Sequence, residues 1–329
     1  MMQHAFDLKD ITKHFGAVKA LNGVTLHSDE GKVFALLGPN GAGKTTIVRI
    51  LSTLLEPSSG SALVHGLDVV KKPKEVREII GLAGQYAAVD EFQTGFENIY
   101  MVGLLYGLKR ADARKRSHEL IERLGLSKAA DRQVKTYSGG MRRRLDLGAS
   151  LVGQPKILFL DEPTTGLDPG SRQSIWQIVH ELIDQGTSIL LTTQYLEEAD
   201  ELADTIAVVD EGKVIAEGTS DQLKSRLGGD TIEFQLESIK DLSSAEEVVK
   251  SVAKSSPDFN QDTLVMRIPV HNGSKDLMVL VEKLNRAKLN VNALSLHRPS
   301  LDDVFLALTG NRTQSQESEQ PKNKKRMKR

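Results

Sequence analysis

The amino-acid sequence predicts an α/β fold, a mostly parallel sheet with helices on both faces, followed by a small α+β domain. Three observations carry this. Short apolar runs alternate with helix-length segments through the first part of the chain, the pattern of repeated β-α-β units. Residues from about 95 to 150 read as one helix after another, with no strand pattern between them. Beyond Leu227-Gly228-Gly229-Asp230 the pattern changes to alternating strands separated by helices.

Taken in order, Lys32 to Leu37 (KVFALL) is a strand, and Lys44 to Leu55 a helix. The segments FENIYMVGLLYGL, ADARKRSHELIERLGL and GMRRRLDLGASLVG form a helical insertion. Lys156 to Leu160 (KILFL) is a buried strand, and a helix from about Ser171 to Asp184 leads to the strand Ser188–Leu191. Thr192, Thr193 and Gln194 carry the chain out of that strand, and an acidic helix starts at Leu196. Thr205–Val209 and Lys213–Glu217 flank Asp210-Glu211-Gly212, a hairpin signal. In the second domain TIEFQLES, TLVMRIPV and VNALSLH read as strands, with helices near 244–253 and 275–288. Ser300 with Asp303 has the spacing of a capping box opening a last helix. The predicted domains are therefore residues 1–227, with a helical subdomain at about 95–150, and residues 228–310. The polar segment 311–329 ends in KNKKRMKR and is an expected disordered tail, suited either to anionic lipid or to solubility alone.

Composition bounds the function. The 329 residues are 39% hydrophobic and 26% charged, enough to bury a sizeable core. With 43 basic and 44 acidic residues the net charge is −1, which argues against a surface built as a whole for a polyanion. There is no cysteine, so disulfides and thiolate metal sites are excluded, and a reducing compartment fits. The N-terminal segment has no apolar run of signal-peptide length, and no stretch approaches the roughly 18 apolar residues of a membrane span. Any work done across a membrane would need another chain to cross it.

Gly38-Pro39-Asn40-Gly41-Ala42-Gly43-Lys44-Thr45 matches the phosphate-loop pattern G-x-x-x-x-G-K-[ST], between a strand and a helix. Glycines allow consecutive backbone N–H groups to curl around phosphates, and the helix N-terminus offers further N–H groups and a positive dipole end. Lys44 can reach the β- and γ-phosphates, and the Thr45 hydroxyl can ligand Mg²⁺; Thr46 completes the set expected at the nucleotide. A triphosphatase also needs a carboxylate at a strand end. ILFLDEP supplies it: Asp161 to hold Mg²⁺, and Glu162 to orient and polarise an attacking water.

With these motifs the chain resembles the ATP-binding subunits of ATP-binding-cassette (ABC) proteins, a class of P-loop NTPase, over about residues 4–225. Gln85 in GLAGQYAAVDE resembles the family's glutamine loop, Tyr137-Ser138-Gly139-Gly140-Met141 its signature, and Gly166-Leu167-Asp168-Pro169 its D-loop. The signature departs at Tyr137 and Met141, where leucine and glutamine are commoner, and keeps its Ser-Gly-Gly core. The resemblance implies that Phe15 lies under the adenine, that Gln85 reaches nucleotide and Mg²⁺, and that Asp168 contributes at the nucleotide. It also implies that Ser138, Gly139 and Gly140 face the γ-phosphate held by the other subunit of a homodimer, so that two ATP molecules join two cassettes and hydrolysis releases them.

YSGGMRRRLDLGASLV, LLTTQYLEEADELADTIAVVDEGKVIAEG and PSLDDVFLALTG are similar to the daunorubicin-resistance type of exporter ATPase, which extends the likeness to about Gly310. That type implies a separate membrane permease, a peripheral place at the cytoplasmic face of the membrane, and drug or antibiotic efflux. It also implies that Gln194 stands where most of the family has a γ-phosphate-sensing histidine. The alternative is a soluble ABC ATPase acting on nucleic acid or ribosomes; those typically have two cassettes in one chain or a long coiled-coil insertion. A regulatory module that hydrolyses little is opposed by intact Lys44, Asp161 and Glu162. Among the remaining residues, Arg142, Arg143 and Arg144 read as the exposed face of the signature helix in preference to a phosphate patch, Trp176 as packing, and the eight histidines have no metal-ligand spacing.

Overall fold

The computed structural model describes residues 4–85, 88–225, 230–297 and 300–305. The chain divides into two compact units, Met1–Thr219 and Ser220–Arg329. The Gly228-Gly229 pair, where the sequence places the boundary, and the tail from Asn311 lie outside the described residues.

The first unit opens with two long antiparallel strands, β1 (His4–Phe15) and β2 (Val18–Asp29). Phe6, Leu8 and Ile11 of one and Leu21, Val24 and Leu26 of the other are buried. β3 (Val33–Leu37) is buried at all five residues and leads through the phosphate loop to α1 (Lys44–Leu51). That helix stops short of the expected Leu55; Thr53 has φ 64°, which a continuing helix does not allow. β4 (Ser59–Val64) and β5 (Leu67–Asp68) join the opening hairpin in a four-stranded antiparallel sheet, order β2-β1-β4-β5. Those four strands, and α2 (Pro73–Ile79) with β6 (Ile80–Ala83) after them, were not picked out from the sequence.

Next come three helices without an intervening named strand: α3 (Gly95–Leu105), α4 (Arg110–Arg123) and α5 (Gly139–Ser150). Thr94 and Glu97 form a reciprocal capping box at α3. β7 (Ile157–Asp161), α6 (Pro169–Asp184), β8 (Ser188–Thr193), α7 (Leu196–Leu202), β9 (Thr205–Asp210) and β10 (Lys213–Gly218) complete the unit. α6 begins two residues before the expected Ser171, because Asp168 caps it by accepting the Ser171 N–H.

The second sheet has the order β10-β9-β3-β8-β7-β6, parallel except for the β9–β10 hairpin. Successive side chains point to opposite faces. Phe34, Leu36, Phe159 and Leu190 pack with Ile47, Val48, Ile50 and Leu51 of α1 and with the antiparallel sheet. Val33, Leu158, Leu160, Ile189 and Leu191 pack with α5 and α6 on the other face. Burying one such side chain fully contributes about 1.5–3 kcal/mol, so the strands hold register firmly. That register aligns four strand ends: Leu37 pairs Thr193, Asp161 pairs Thr192, and Ala83 pairs Leu160.

In the second unit α8 (Ser220–Ser225) precedes β11 (Thr231–Leu236), α9 (Leu242–Lys250), β12 (Asp258–Asn260), β13 (Val265–Pro269), α10 (Gly273–Arg286) and β14 (Val291–His297). The antiparallel sheet order β12-β13-β11-β14 is that of a split βαβ fold. Ile232, Phe234, Leu236, Met266 and Ile268 form its core with Ala245, Val249, Leu280 and Leu284. The Ser300–Asp303 capping box forms with both reciprocal backbone bonds.

Candidate active site

Ligands in open α/β sheets bind beyond the carboxyl ends of the strands, and here four adjacent strands end together. The phosphate loop follows β3, Gln194 follows β8, Glu162 follows β7, and Gln85 follows β6 within two residues. Asn40, Gly41, Gly43, Lys44, Thr45, Thr46, Gln85 and Glu162 line one cleft of about 280 Å³. Gly43 has φ 108°, and a Cβ there would stand 2.8 Å from the carbonyl oxygen of Ala20 and 2.7 Å from Leu21. Only glycine fits this turn, which feeds the loop into α1.

Lys44 is buried, its Nζ donating to the carbonyls of Gly38 (2.7 Å) and Pro39 (3.0 Å) and lying 3.7 Å from Glu162 Oε1. Burial pushes its pKa down, against the pull of Glu162 and Asp161. An incoming phosphate adds negative charge beside an ammonium already stripped of water, where attraction is stronger than at the surface. Thr45 Oγ1 donates to Asp161 Oδ1 at 3.1 Å, and Thr192 Oγ1 donates to the same oxygen at 2.5 Å. Glu162 has φ 51°, a left-handed conformation that costs a non-glycine residue roughly 1–2 kcal/mol. Its N–H holds that turn by donating to both the carbonyl (3.1 Å) and the hydroxyl (3.0 Å) of Thr192. Gln85 Nε2 and Thr165 Oγ1 each donate to Glu162 Oε2 at 3.4 Å.

Gln194 is half-buried one residue after Thr193, whose carbonyl accepts the Gly38 N–H at 3.3 Å. The backbone of the Gln194 turn is thus fastened to the start of the phosphate loop. Phe15 is 49% exposed at the end of β1 and is not among the residues lining the cleft. Ser138, Gly139, Gly140 and Asp168 do not line it either. Ser138 caps α5 by accepting the Met141 N–H, and Gly139 and Gly140 form its first turn, where free N–H groups gather. A Cβ at Gly140 would run into Ser171 Oγ, and that hydroxyl donates to Asp168 Oδ2 at 2.7 Å. These bonds hold the Asp168 carboxyl below the usual range. The signature turn and the Asp168 turn therefore pack as one block. Tyr137, a departure from the resemblance, is buried and donates its hydroxyl to the Ala129 carbonyl at 2.6 Å.

Residues 21–165 match the family described as ABC transporter, and residues 218–309 match the ATP-binding protein DrrA1-3-like C-terminal domain. Over 317 residues the chain is 49% identical to the daunorubicin resistance ATP-binding protein DrrA2 of Streptomyces coeruleorubidus, covering 96% of this chain and 98% of that protein. It belongs to the ABC transporter ATP-binding proteins. It is 46% identical over 305 residues to the doxorubicin resistance ATP-binding protein DrrA of Mycobacterium tuberculosis, covering 91% of each. A solved dimeric ATP-binding cassette in a post-hydrolysis state with ADP and Pi superimposes with TM-score 0.60 at 25% identity, over 65% of this chain and 98% of that one. The cassette is an ATP-binding, ATP-hydrolysing enzyme, and the α/β fold expected from the sequence is the fold observed.

One expectation fails. Arg142, Arg143 and Arg144 are not an exposed face. Arg143 is buried, and Arg142 and Arg144 are half-buried with partners: Arg142 on Glu91 at 3.0 Å, Arg144 on the Leu124 carbonyl at 3.0 Å. α5 packs between the sheet and the other helices, so the long stems run along apolar surface to reach backbone acceptors. Trp176 does pack in the core, and its indole N–H also donates to the buried Glu198 at 3.2 Å. Sequence reasoning missed the hydrogen bonds of the buried residues Thr192, Arg143, Asp146 and Glu198. Arg143 and Asp146 lie in the signature helix, and Thr192 and Glu198 in the run of threonine and charge that begins at the end of β8.

Proposed function

We propose that two copies of this cassette bind two ATP molecules between them and drive a separate membrane permease that exports a drug-like compound. The observation that carries the reading is the split of the machinery. One cleft holds the phosphate loop, Gln85 and Glu162, while the N–H groups at Ser138, Gly139 and Gly140 stand outside it. A second copy supplying those groups completes the cage around the γ-phosphate. Among the described residues no helix is long and apolar enough to cross a membrane; in this reading a separate permease chain spans it and the cassette works at the permease's cytoplasmic side. The relatives named for daunorubicin and doxorubicin resistance support efflux over action on nucleic acid or ribosomes.

In this reading the loop N–H groups and Lys44 hold the β- and γ-phosphates, Phe15 stacks on the adenine, and Asp168 orients the signature block. Thr45, Asp161 and Gln85 offer the oxygen donors that suit Mg²⁺, and their side-by-side hydroxyl and carboxylate fit it. Held there, Mg²⁺ would offset the negative charge of the phosphate oxygens. Glu162 accepts a hydrogen bond from the attacking water and aligns it, Gln194 donates its amide to the γ-phosphate, and closure against the partner excludes bulk water. The test is Glu162→Gln. It is expected to bind ATP like the parent, turn over at under about a hundredth of the parent rate, and elute as an ATP-dependent dimer, whereas Lys44→Ala loses binding. Parent-level turnover by Glu162→Gln would refute the assignment.

A further inference from the structure

Among the described residues Arg143 is a buried cation with four hydrogen-bond acceptors, and nothing in the hydrolytic reading uses it. It sits on α5, five residues after Ser138 and thus about 7.5 Å along the axis. Its Nε donates to the Pro163 carbonyl at 2.7 Å and its Nη2 to the Asp161 carbonyl at 3.0 Å. Its Nη1 donates to the Gly84 carbonyl and to Asp146 Oδ2, the latter at 3.4 Å. Asp146, one turn along the same helix and equally buried, accepts the Ala88 N–H on Oδ1 at 2.8 Å. The pair therefore grips the residues on both sides of Glu162 and both arms of the Gln85 loop, Gly84 before it and Ala88 after it.

We propose that the Arg143–Asp146 pair is a positioning device for hydrolysis. By tying α5 to the backbone around Gln85, Asp161 and Glu162, it makes the placement of those groups follow the position of the signature helix. The inference rests on the reading of Glu162 and Ser138 given above. The geometry suits coupling better than mere cohesion for two reasons. A planar guanidinium offers five N–H groups in a fixed fork, and here four separate acceptors on three segments share them, so none moves without the others. The acceptors flank the two functional side chains while leaving the side chains themselves free toward the cleft. A shift of α5 when Ser138 meets a phosphate is carried by a helix and by buried hydrogen bonds, both stiff. The cost is a buried cation, offset by Asp146 and by the carbonyl dipoles.

The experiment uses the full chain and two variants, Arg143→Lys and Asp146→Asn. Lysine keeps the charge but cannot span three carbonyls; asparagine keeps an acceptor for Ala88 and the volume, while placing an amide beside the guanidinium. ATP affinity is measured by equilibrium binding with turnover blocked by chelation of divalent ions, and kcat and KM by steady-state ATPase. The expected result is a fall in kcat of about tenfold to a hundredfold for Arg143→Lys and severalfold for Asp146→Asn, the effect of a small misplacement of reacting groups. ATP affinity stays within about threefold of the parent, so the loss lies in turnover and not in binding. If Arg143→Lys does not fold, Asp146→Asn decides. Parent kcat in the folded variants overturns the proposal, as does a loss of binding in step with kcat, which marks cohesion alone. Glu162→Gln runs beside them: its full activity would strike the reading of the site, whereas an inactive Glu162→Gln with fully active Arg143→Lys and Asp146→Asn strikes the clamp alone.

Discussion

Gln194 has no side-chain hydrogen-bond partner among the described residues, although it stands where the chain leaves a fully buried strand. A half-buried amide without a partner, beside a phosphate loop, is placed to donate to a ligand. Losing a hydrogen bond to a charged group is worth about 1.5–3 kcal/mol. Felt mainly in the transition state, that loss lowers the rate of Gln194→Ala roughly tenfold to a hundredfold. Gln194→His is expected to keep substantial activity and to add a pH dependence around about 6.5, the unperturbed imidazole value, because glutamine does not titrate. Gln194→Glu, a negative charge beside the γ-phosphate, falls below alanine. Steady-state ATPase across pH on the four proteins checks this; parent rates in both the alanine and glutamate variants would mean that the amide touches nothing in the reaction. The phosphate loop and the Asp161-Glu162 pair were legible because each is written within a few adjacent residues, whereas Gln194 entered through the resemblance; the structure sets all three at the ends of adjacent strands. Thr192, whose hydroxyl and carbonyl hold Asp161 and the Glu162 turn, was not legible, since its role depends on the pairing of β7 with β8.

At the level of elements, α7 begins beside the Gln194 turn and buries Glu198 at its first turn. Oε1 accepts from Thr164 (2.8 Å) and Trp176 (3.2 Å), while Oε2 is buried with no partner among the described residues. Burial pushes this carboxyl up, against the donors around it. A raised carboxyl binds its proton more tightly folded than unfolded, so its contribution is present below the ordinary glutamate range and lost as pH rises through the raised value. Glu198→Gln removes that loss. The melting temperature of the variant minus that of the parent is expected to grow as pH rises from the ordinary carboxylate range; a difference independent of pH would contradict it. Here too the element was readable and its anchor was not. The acidic helix starts at Leu196 as its sequence suggests, but that one of its carboxyls turns inward to Trp176 is a matter of packing between α6 and α7. The N-terminal sheet escaped for a related reason. β1 and β2 each contain bulges, which break the strict alternation that marks a strand.

For the molecule as a whole, two self-contained units follow one another, and the first holds every residue assigned to ATP. The residues proposed for catalysis and the signature turn are both formed within one chain, yet among the described residues they do not line one cleft. That separation was legible only as a resemblance, because no local pattern tells a helix N-terminus which copy's phosphate it faces. It can be tested directly because the chain has no cysteine. Ser138→Cys combined with Lys44→Ala in one chain gives a unique thiol at the signature turn and a phosphate loop that does not hold nucleotide. This chain is mixed with the parent and treated with an ATP analogue carrying a thiol-reactive group on the γ-phosphate. A composite site predicts that the thiol is labelled only when the parent is present to hold the analogue. Labelling of Ser138→Cys at its own intact phosphate loop under monomeric conditions, abolished by Lys44→Ala and not restored by the parent, would contradict it.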